Sequence, residues 1–160
     1  MIANGKALFD FINLILKKEG FVKKKNTWYK LTEDCICFFT IGKSPYGGYY
    51  EEAFGFFLKD LNTTGQDYPV YYKCNLKIGL SHMVDEEFVK RAFDLENQEF
   101  ANTEREFIIT EFFELYVIPF LNDVSSKDLI VAAMVKYQDL IYYIDGDSRI
   151  YLKLKMPKTK

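Results

Sequence analysis

The chain begins with apolar residues at three- and four-residue spacing, which is the period of a helix with one buried face. These residues are Leu8, Phe11, Ile12, Ile15 and Leu16. Lys17 and Lys18 follow, where basic side chains suit the end of a helix, and Gly20 can adopt the left-handed conformation that ends many helices. The pattern therefore predicts an amphipathic helix from about Lys6 to Glu19.

The apolar period then changes to the two-residue alternation of β-strands, from Thr27 to about Leu80. Residues 35–41 are apolar on both alternating sets, which predicts a central strand covered on both faces. After a turn at residues 44–48, a second strand places one set of side chains on the same side: Tyr50, Glu52, Phe54, Phe56 and Leu58. Residues 70–80 alternate between apolar and polar positions, as in a half-solvated antiparallel strand.

Helical spacing returns after residue 84. Asp85 predicts the cap of a short helix, Thr103 opens a longer helix that Pro119 should kink or end, and Ser126 lies at the start of another. The last segment is either a hairpin with its turn at residues 145–147 or a helix followed by a strand. This order predicts an α+β fold in one domain, residues 1–160, with a curved antiparallel sheet of about four strands wrapped around the helices.

Composition and charge narrow the class of protein. With 160 residues, of which 49% are hydrophobic, the chain is long enough for one domain with a substantial core. The formal net charge of −2 gives no overall attraction to nucleic acid or to an anionic membrane, and no apolar run reaches the roughly 18 residues of a membrane span. Three cysteines without dense spacing, and no recognisable signal sequence, predict a cytoplasmic protein without disulfide bonds.

Few residues offer catalytic chemistry. His82 is the only histidine, so a nucleophilic site of the Ser–His or Cys–His kind would have to use it. Cys35 and Cys37 lack the ligand spacing of a zinc site and are expected to be buried apolar residues. Carboxylates are abundant, at residues 51–52, 85–87 and 104–114, and Glu111 and Glu114 could share a helix face. Such pairs can do acid–base work or hold a cation, but solvated helix faces produce them routinely. We therefore expect no catalytic residue, no metal site and no cofactor.

A basic and aromatic stretch follows the first helix. Lys23, Lys24 and Lys25 suit phosphate contacts, and Trp28 and Tyr29 suit stacking on bases. Strand alternation sends Trp28 and Tyr29 to opposite faces, however, so both rings cannot stack on successive bases from one side. We interpret the stretch as a helix end, a solvated turn and the start of a strand, and we expect no nucleic-acid partner.

Three short motifs carry a resemblance to a known family. They are Gly20-Phe21-x-Lys23-Lys24 with Trp28-Tyr29, Lys43-Ser44-x-x-Gly47-Gly48-Tyr49-Tyr50, and Phe54-Gly55-x-Phe57. With them, the first half of the chain resembles an uncharacterised bacterial family, the 4304 domain of unknown function, and the second half matches it in the order of its elements. The resemblance implies a stand-alone α+β domain and assigns no catalytic residue. Gly42 and Ala53 stand where the family often has glutamine and asparagine, so a polar site built there is expected to be weakened or absent.

An aromatic-rich surface of the sheet is the leading candidate for function, because tyrosine is common where one end of a ring is buried and the other is wet. We expect a bacterial, cytoplasmic, non-enzymatic domain that binds a protein or a small molecule through Trp28, Tyr46, Tyr49, Tyr50, Tyr71 and Lys73. Two alternatives stay open: a small hydrolase or transferase that uses His82 with a nearby carboxylate, and an immunity-type inhibitor of a toxin. An enzyme should place His82 in a pocket beside an acid.

The end of the first helix generates a stability prediction. Gly20→Val should lower the free energy of unfolding by about 1–2 kcal/mol, because a β-branched residue cannot adopt a left-handed cap comfortably. The control Lys24→Ala should change it by about 0.5 kcal/mol or less. Urea unfolding of the two variants measures the ranking, and the reverse order would show that the helix does not end at this glycine.

Overall fold

The computed structural model describes residues 1–62 and 73–158, and its elements follow the order helix, sheet, helices. Helix α1 spans Gly5–Lys18. The strands of the described residues are β1 (Val22–Lys24), β2 (Thr27–Leu31), β3 (Cys35–Lys43), β4 (Tyr50–Leu58) and β5 (Leu76–Ile78). The later helices are α2 (Glu86–Phe93), α3 (Asn102–Phe112), α4 (Ile118–Asp123), α5 (Lys127–Lys136) and α6 (Gly146–Tyr151). The fold is therefore α+β, as the sequence predicts.

The sheet is antiparallel throughout, and its strands lie side by side in chain order, β1 to β5. Strand β3 occupies the centre, where Phe39 lies opposite Trp28 of β2 and Phe54 of β4. Residues 35–41 are all buried. The prediction of a central strand covered on both faces is thus confirmed, although the sheet has five strands in the described residues and not about four.

The main core lies between one face of the sheet and the helices. The ring of Phe39 packs against Trp28, Phe54 and Phe113, with centroids 6.1, 6.3 and 4.9 Å away. Helix α1 contributes Leu8, Ile12 and Leu16 to the same core, and the helices after the sheet contribute Phe93, Ile109, Phe120, Ile130 and Ile144, among others. A smaller cluster of Ile36, Phe38 and Phe57 lies on the opposite face of the sheet.

Helix α1 ends as its sequence predicts. Gly20 has a φ of 84°, in the left-handed region. Its amide donates to the carbonyl of Lys17, and the amide of Phe21 donates to the carbonyl of Leu16, both at 3.1 Å. This pair of hydrogen bonds is the Schellman arrangement that satisfies the last carbonyls of a helix.

The basic stretch after α1 is more ordered than a solvated turn. Val22–Lys24 forms the edge strand β1, paired with β2, and the turn is confined to Lys25 and Asn26. Lys25 has a φ of 57°, as tight hairpin turns require. Trp28 is buried in the main core and Tyr29 packs against the smaller cluster, so the two rings do lie on opposite faces.

The strand predicted over residues 70–80 is much shorter in the described residues. Only Leu76–Ile78 pairs with β4, and Leu80–His82 is a turn of 3-10 helix. The pairing ends at both sides because side chains replace backbone partners: Asn75 Oδ1 accepts the amide of Leu58, and Glu52 Oε1 accepts the amide of Leu80. Residues 70–72 lie outside the described residues.

The later helices correct two further expectations. The hairpin with its turn at residues 145–147 is wrong, because Asp145 caps helix α6 by accepting the amide of Ser148. The helix expected from Thr103 begins at Asn102, and before Pro119 it passes through a π-helical turn, Phe113–Val117. The caps at Asp85 and Ser126 are confirmed. Within the two described ranges, no helix combines the length and apolarity needed to cross a membrane.

A close approach between β4 and β5 generates the second prediction. A Cβ atom on Gly55 would lie 1.9 Å from the carbonyl oxygen of Leu76, so β5 cannot keep its place beside an alanine. Gly55→Ala should therefore lower the free energy of unfolding by about 1–3 kcal/mol or more. Gly42→Ala is the matched control, because its Cβ would meet only Asn26 Nδ2 at 3.7 Å. Equal urea midpoints for the two variants would contradict the observed register of β5.

Candidate functional site

A cleft of about 690 Å³ opens where the adjoining ends of β3 and β4 face α2 and the 3-10 turn at Leu80–His82. Clefts of roughly 300–1,000 Å³ are the usual size of small-molecule sites. Residues from both faces of β4 line it, together with residues 77–82, α2 and Tyr143. The side chains that matter to its chemistry are Lys43, Tyr49, Tyr50, Glu51, Glu52, Lys77, His82, Glu86 and Lys90.

Glu52 is the unusual group of this cleft. Strand alternation places it on the same side of β4 as Phe54 and Phe56, which are fully buried. Its Oε1 atom accepts the backbone amide of Leu80 at 2.8 Å. Its second oxygen, Oε2, receives no hydrogen bond from another residue in the described parts of the chain. A carboxyl group thus stands at the end of an apolar face, with one oxygen left for a partner.

The surroundings of Glu52 favour its neutral form. Burial raises the pKa of the carboxyl from the ordinary 4.5 to about 7. The backbone amides of Leu80 and of Glu52 itself oppose this rise, while the charge of Glu51 adds to it. Because a carboxyl with a pKa of about 7 holds its proton in half of the molecules at neutral pH, this group can donate or accept a proton under ordinary conditions.

Two of the sequence-predicted residues, Tyr49 and Tyr50, lie in the cleft. The ring of Tyr50 meets Phe9 of α1 edge to face, with centroids 5.8 Å apart. The ammonium group of Lys90 lies 4.8 Å from the centroid of Tyr49. Both rings are therefore held in place by neighbours, and each presents a partly buried tyrosine to the cleft.

Of the other residues predicted for the binding surface, none that the structure describes lines the cleft. Trp28 is fully buried and donates its indole N–H to Asn13 Oδ1, so it belongs to the core and not to a contact surface. Tyr46 is 89% exposed in the turn after β3 and does not line the cleft. Lys73 is exposed and lies apart from the lining residues. Tyr71 lies outside the described residues.

His82 does line the cleft, in the company of Glu52 and Glu86. Its Nδ1 atom lies 3.2 Å from the amide nitrogen and 3.1 Å from the carbonyl oxygen of Gly79, and its ring meets Tyr143 edge to face with centroids 4.6 Å apart. In the tautomer whose Nδ1 donates to this carbonyl, Nε2 is unprotonated and is able to act on a ligand as a base. The hydrolase or transferase hypothesis thus retains the pocket that it requires.

The cysteines offer no reactive group. Cys35 and Cys37 are buried in the core, and burial raises the pKa of both thiols to about 12. Neither forms the thiolate at neutral pH. In residues 1–62 and 73–158, no three histidine, cysteine or acidic side chains are grouped closely enough to hold a metal ion.

Sequence reasoning named Glu52 only as one carboxylate among many. The signal that singles it out was nevertheless present, because a charged residue occupies the apolar side of a strand whose next inward positions are Phe54 and Phe56. Gly42 and Ala53, the two departures from the pattern that the resemblance leads one to expect, also line the cleft. Glutamine and asparagine there would make that part of the cleft more polar than it is in this chain.

The fold and the cleft define an α+β domain with a small-molecule-sized cavity at one end of an antiparallel sheet. Comparison with protein families gives one match, Domain of unknown function (DUF4304), over residues 12–123. The chain belongs to this family, as its motifs predict. No curated protein and no solved structure matches the chain.

The raised pKa of Glu52 generates a prediction for stability. In the unfolded chain the carboxyl ionises near pH 4.5, and in the folded protein near pH 7, so folding becomes less favourable as pH rises between these values. Relative to Glu52→Gln, the wild-type protein should lose up to about 3 kcal/mol of unfolding free energy across that window and no more above it. Urea unfolding at a series of pH values measures the difference, with Glu86→Gln as a control that removes an exposed charge of the same cleft. Parallel pH profiles for wild type and Glu52→Gln would contradict the assignment.

Proposed function

We propose that this protein is a binding domain for a small molecule and that the cleft at the ends of β3 and β4 is its binding site. The observation that carries the proposal is the combination of a cavity of about 690 Å³, three tyrosines in its wall and a carboxyl group with an oxygen unpaired by other described residues. Ligand sites commonly join apolar and aromatic walls to a few polar groups that orient the ligand. Tyr49, Tyr50 and Glu52 have these roles in the proposal.

The proposal also takes residues 1–160 as one cytoplasmic domain. The last helices support it, because Ile130, Leu140 and Ile144 belong to the same core as Leu8 of α1. Cysteines that are buried and unpaired, such as Cys35 and Cys37, are ordinary in a reducing compartment.

Native mass spectrometry of the protein purified under mild conditions tests the site. Two adjacent glutamates of α2 provide matched variants, since Glu86 lines the cleft and Glu87 does not, although both are exposed. Glu86→Trp should place an indole in the cleft and reduce the fraction of protein that retains a small molecule. Glu87→Trp should leave that fraction unchanged.

Two outcomes would contradict this proposal. Retention that Glu86→Trp and Glu87→Trp reduce alike would place the ligand elsewhere. The proposal would be wrong if the purified protein carries no small molecule and no compound of a broad metabolite panel raises its melting temperature.

The second candidate function is a small hydrolase or transferase, and one observation favours it: His82 shares the cleft with Glu52 and Glu86. Its Nε2 atom would act as a general base, with Glu52 as the acid that is protonated near neutral pH. Turnover of p-nitrophenyl acetate or p-nitrophenyl phosphate that is lost in both His82→Asn and Glu52→Gln would support catalysis. Turnover that persists in both variants, or its absence in the wild type, would leave binding as the better explanation.

A further inference from the structure

The carboxyl group of Glu52 has no cationic partner within the described part of the chain. No lysine, arginine or histidine there forms an ion pair with it, and the groups that stabilise its charge are backbone amides. Removing a carboxylate from water without a counterion is costly. At and below a pH of about 7, a proton takes the place of that counterion, which is the physical meaning of the raised pKa.

The nearby lysines do not supply this charge. Lys43 lies 3.7 Å from Glu96, and Lys90 lies over the ring of Tyr49. The charged groups that border the cleft are Lys43, Glu51, Lys77, His82, Glu86 and Lys90. Counted with Glu52, the cleft carries three lysines and three glutamates apart from His82, so its charges as a whole do not select for either sign. Selection falls to Glu52, which is half-buried and has no ion-pair partner among the described residues.

The walls beside Glu52 suit an organic body more than a bare ion. Tyr50 and Tyr143 line the cleft with aromatic rings, and Val89 adds an apolar surface. Aromatic faces attract organic cations as well as neutral apolar groups. The described residues do not bring three metal-ligating side chains together, which a site for an inorganic dication would need.

We propose that the ligand of this cleft is an organic amine, whose ammonium group binds the free carboxyl oxygen of Glu52 while its apolar part packs against the tyrosines. The inference rests on the proposed function and specifies the class of ligand for the same site. The ammonium group takes the place of the proton on Glu52, so binding to the protonated carboxyl releases one proton to solvent.

This exchange sets the pH dependence of binding. The ammonium group competes with a proton, so affinity falls about tenfold for each pH unit below the pKa of Glu52. Between about pH 8 and about pH 5.5 an acid with a pKa of about 7 loses ionised form by about thirtyfold, and the affinity should follow. His82 belongs to the same cleft, so its contribution has to be separated.

The experiment uses three probes of nearly the same shape: benzylamine, benzyl alcohol and benzoate. Each is titrated into the full-length protein, and the carboxyl carbon of Glu52 is followed by NMR in protein labelled with carbon-13. Benzylamine should bind at least tenfold more tightly than the other two and should move the Glu52 midpoint to lower pH. The Glu52 resonance is measured in the wild-type protein, so the result does not depend on whether a variant folds.

Variants then assign the preference to one carboxyl group. Glu52→Gln should abolish the preference for benzylamine and its pH dependence, because the amide keeps an oxygen for the amide of Leu80 but carries no charge. Glu87→Gln, which removes an exposed charge of α2 that does not line the cleft, should change the affinity less than threefold. His82→Asn should keep the pH dependence.

Three results would overturn the inference. They are equal or tighter binding of benzyl alcohol or benzoate, a preference for benzylamine that survives in Glu52→Gln, and a Glu52 signal that benzylamine does not move. In each case the mass-spectrometric comparison of Glu86→Trp with Glu87→Trp still decides whether the cleft holds a small molecule. Failure of the ligand class is therefore distinguishable from failure of the site.

Discussion

The complete burial of the central strand is the constraint on which the rest of the structure depends. A strand that is apolar on both sets of side chains needs a neighbour at each edge and a cover on each face. Strands β2 and β4 pair with the two edges of this strand, and the helices cover the face that holds Phe39. On the other face, Phe57 packs with Ile36 and Phe38. The helices before and after the sheet thus cover one face of this strand, and the neighbouring strands pair with both of its edges.

The same constraint produces the cleft. Strand β4 pairs with β3 over its whole length, and its Phe54 packs against Phe120 of α4. At its first residues the inward side of β4 carries Tyr50 and Glu52 in place of further apolar residues. Residues 79–82 and helix α2 then close over the opening, and the amide of Leu80 meets the carboxyl group of Glu52. Glu52 is therefore half-buried next to the apolar core.

A half-buried acid without a counterion is a cost to stability that a folded domain has no structural need to bear. Glutamine at this position would accept the same amide without the cost of desolvating a charge. Such a group is more easily understood as part of a site that becomes complete when a partner binds, because unsatisfied polar groups and shifted pKa values concentrate at functional sites. The amine-binding proposal and the acid–base alternative both give this carboxyl group a role. They differ in whether it contacts the ammonium group of a ligand or a substrate that reacts.

The sequence by itself determined the α+β class, helix α1 with its left-handed Gly20, the buried strand around Phe39 and the family, because these depend on local period, on backbone conformation at single residues and on short motifs. Tertiary structure decided the rest. Whether Asp145 forms a hairpin turn or caps a helix depends on its contact with Asn75, seventy positions away. Likewise, the pattern of β4 shows that Glu52 faces inward, but only the tertiary structure half-buries it and brings the amide of Leu80 to its carboxyl group. These two features separate this carboxyl group from the chain's many solvated ones.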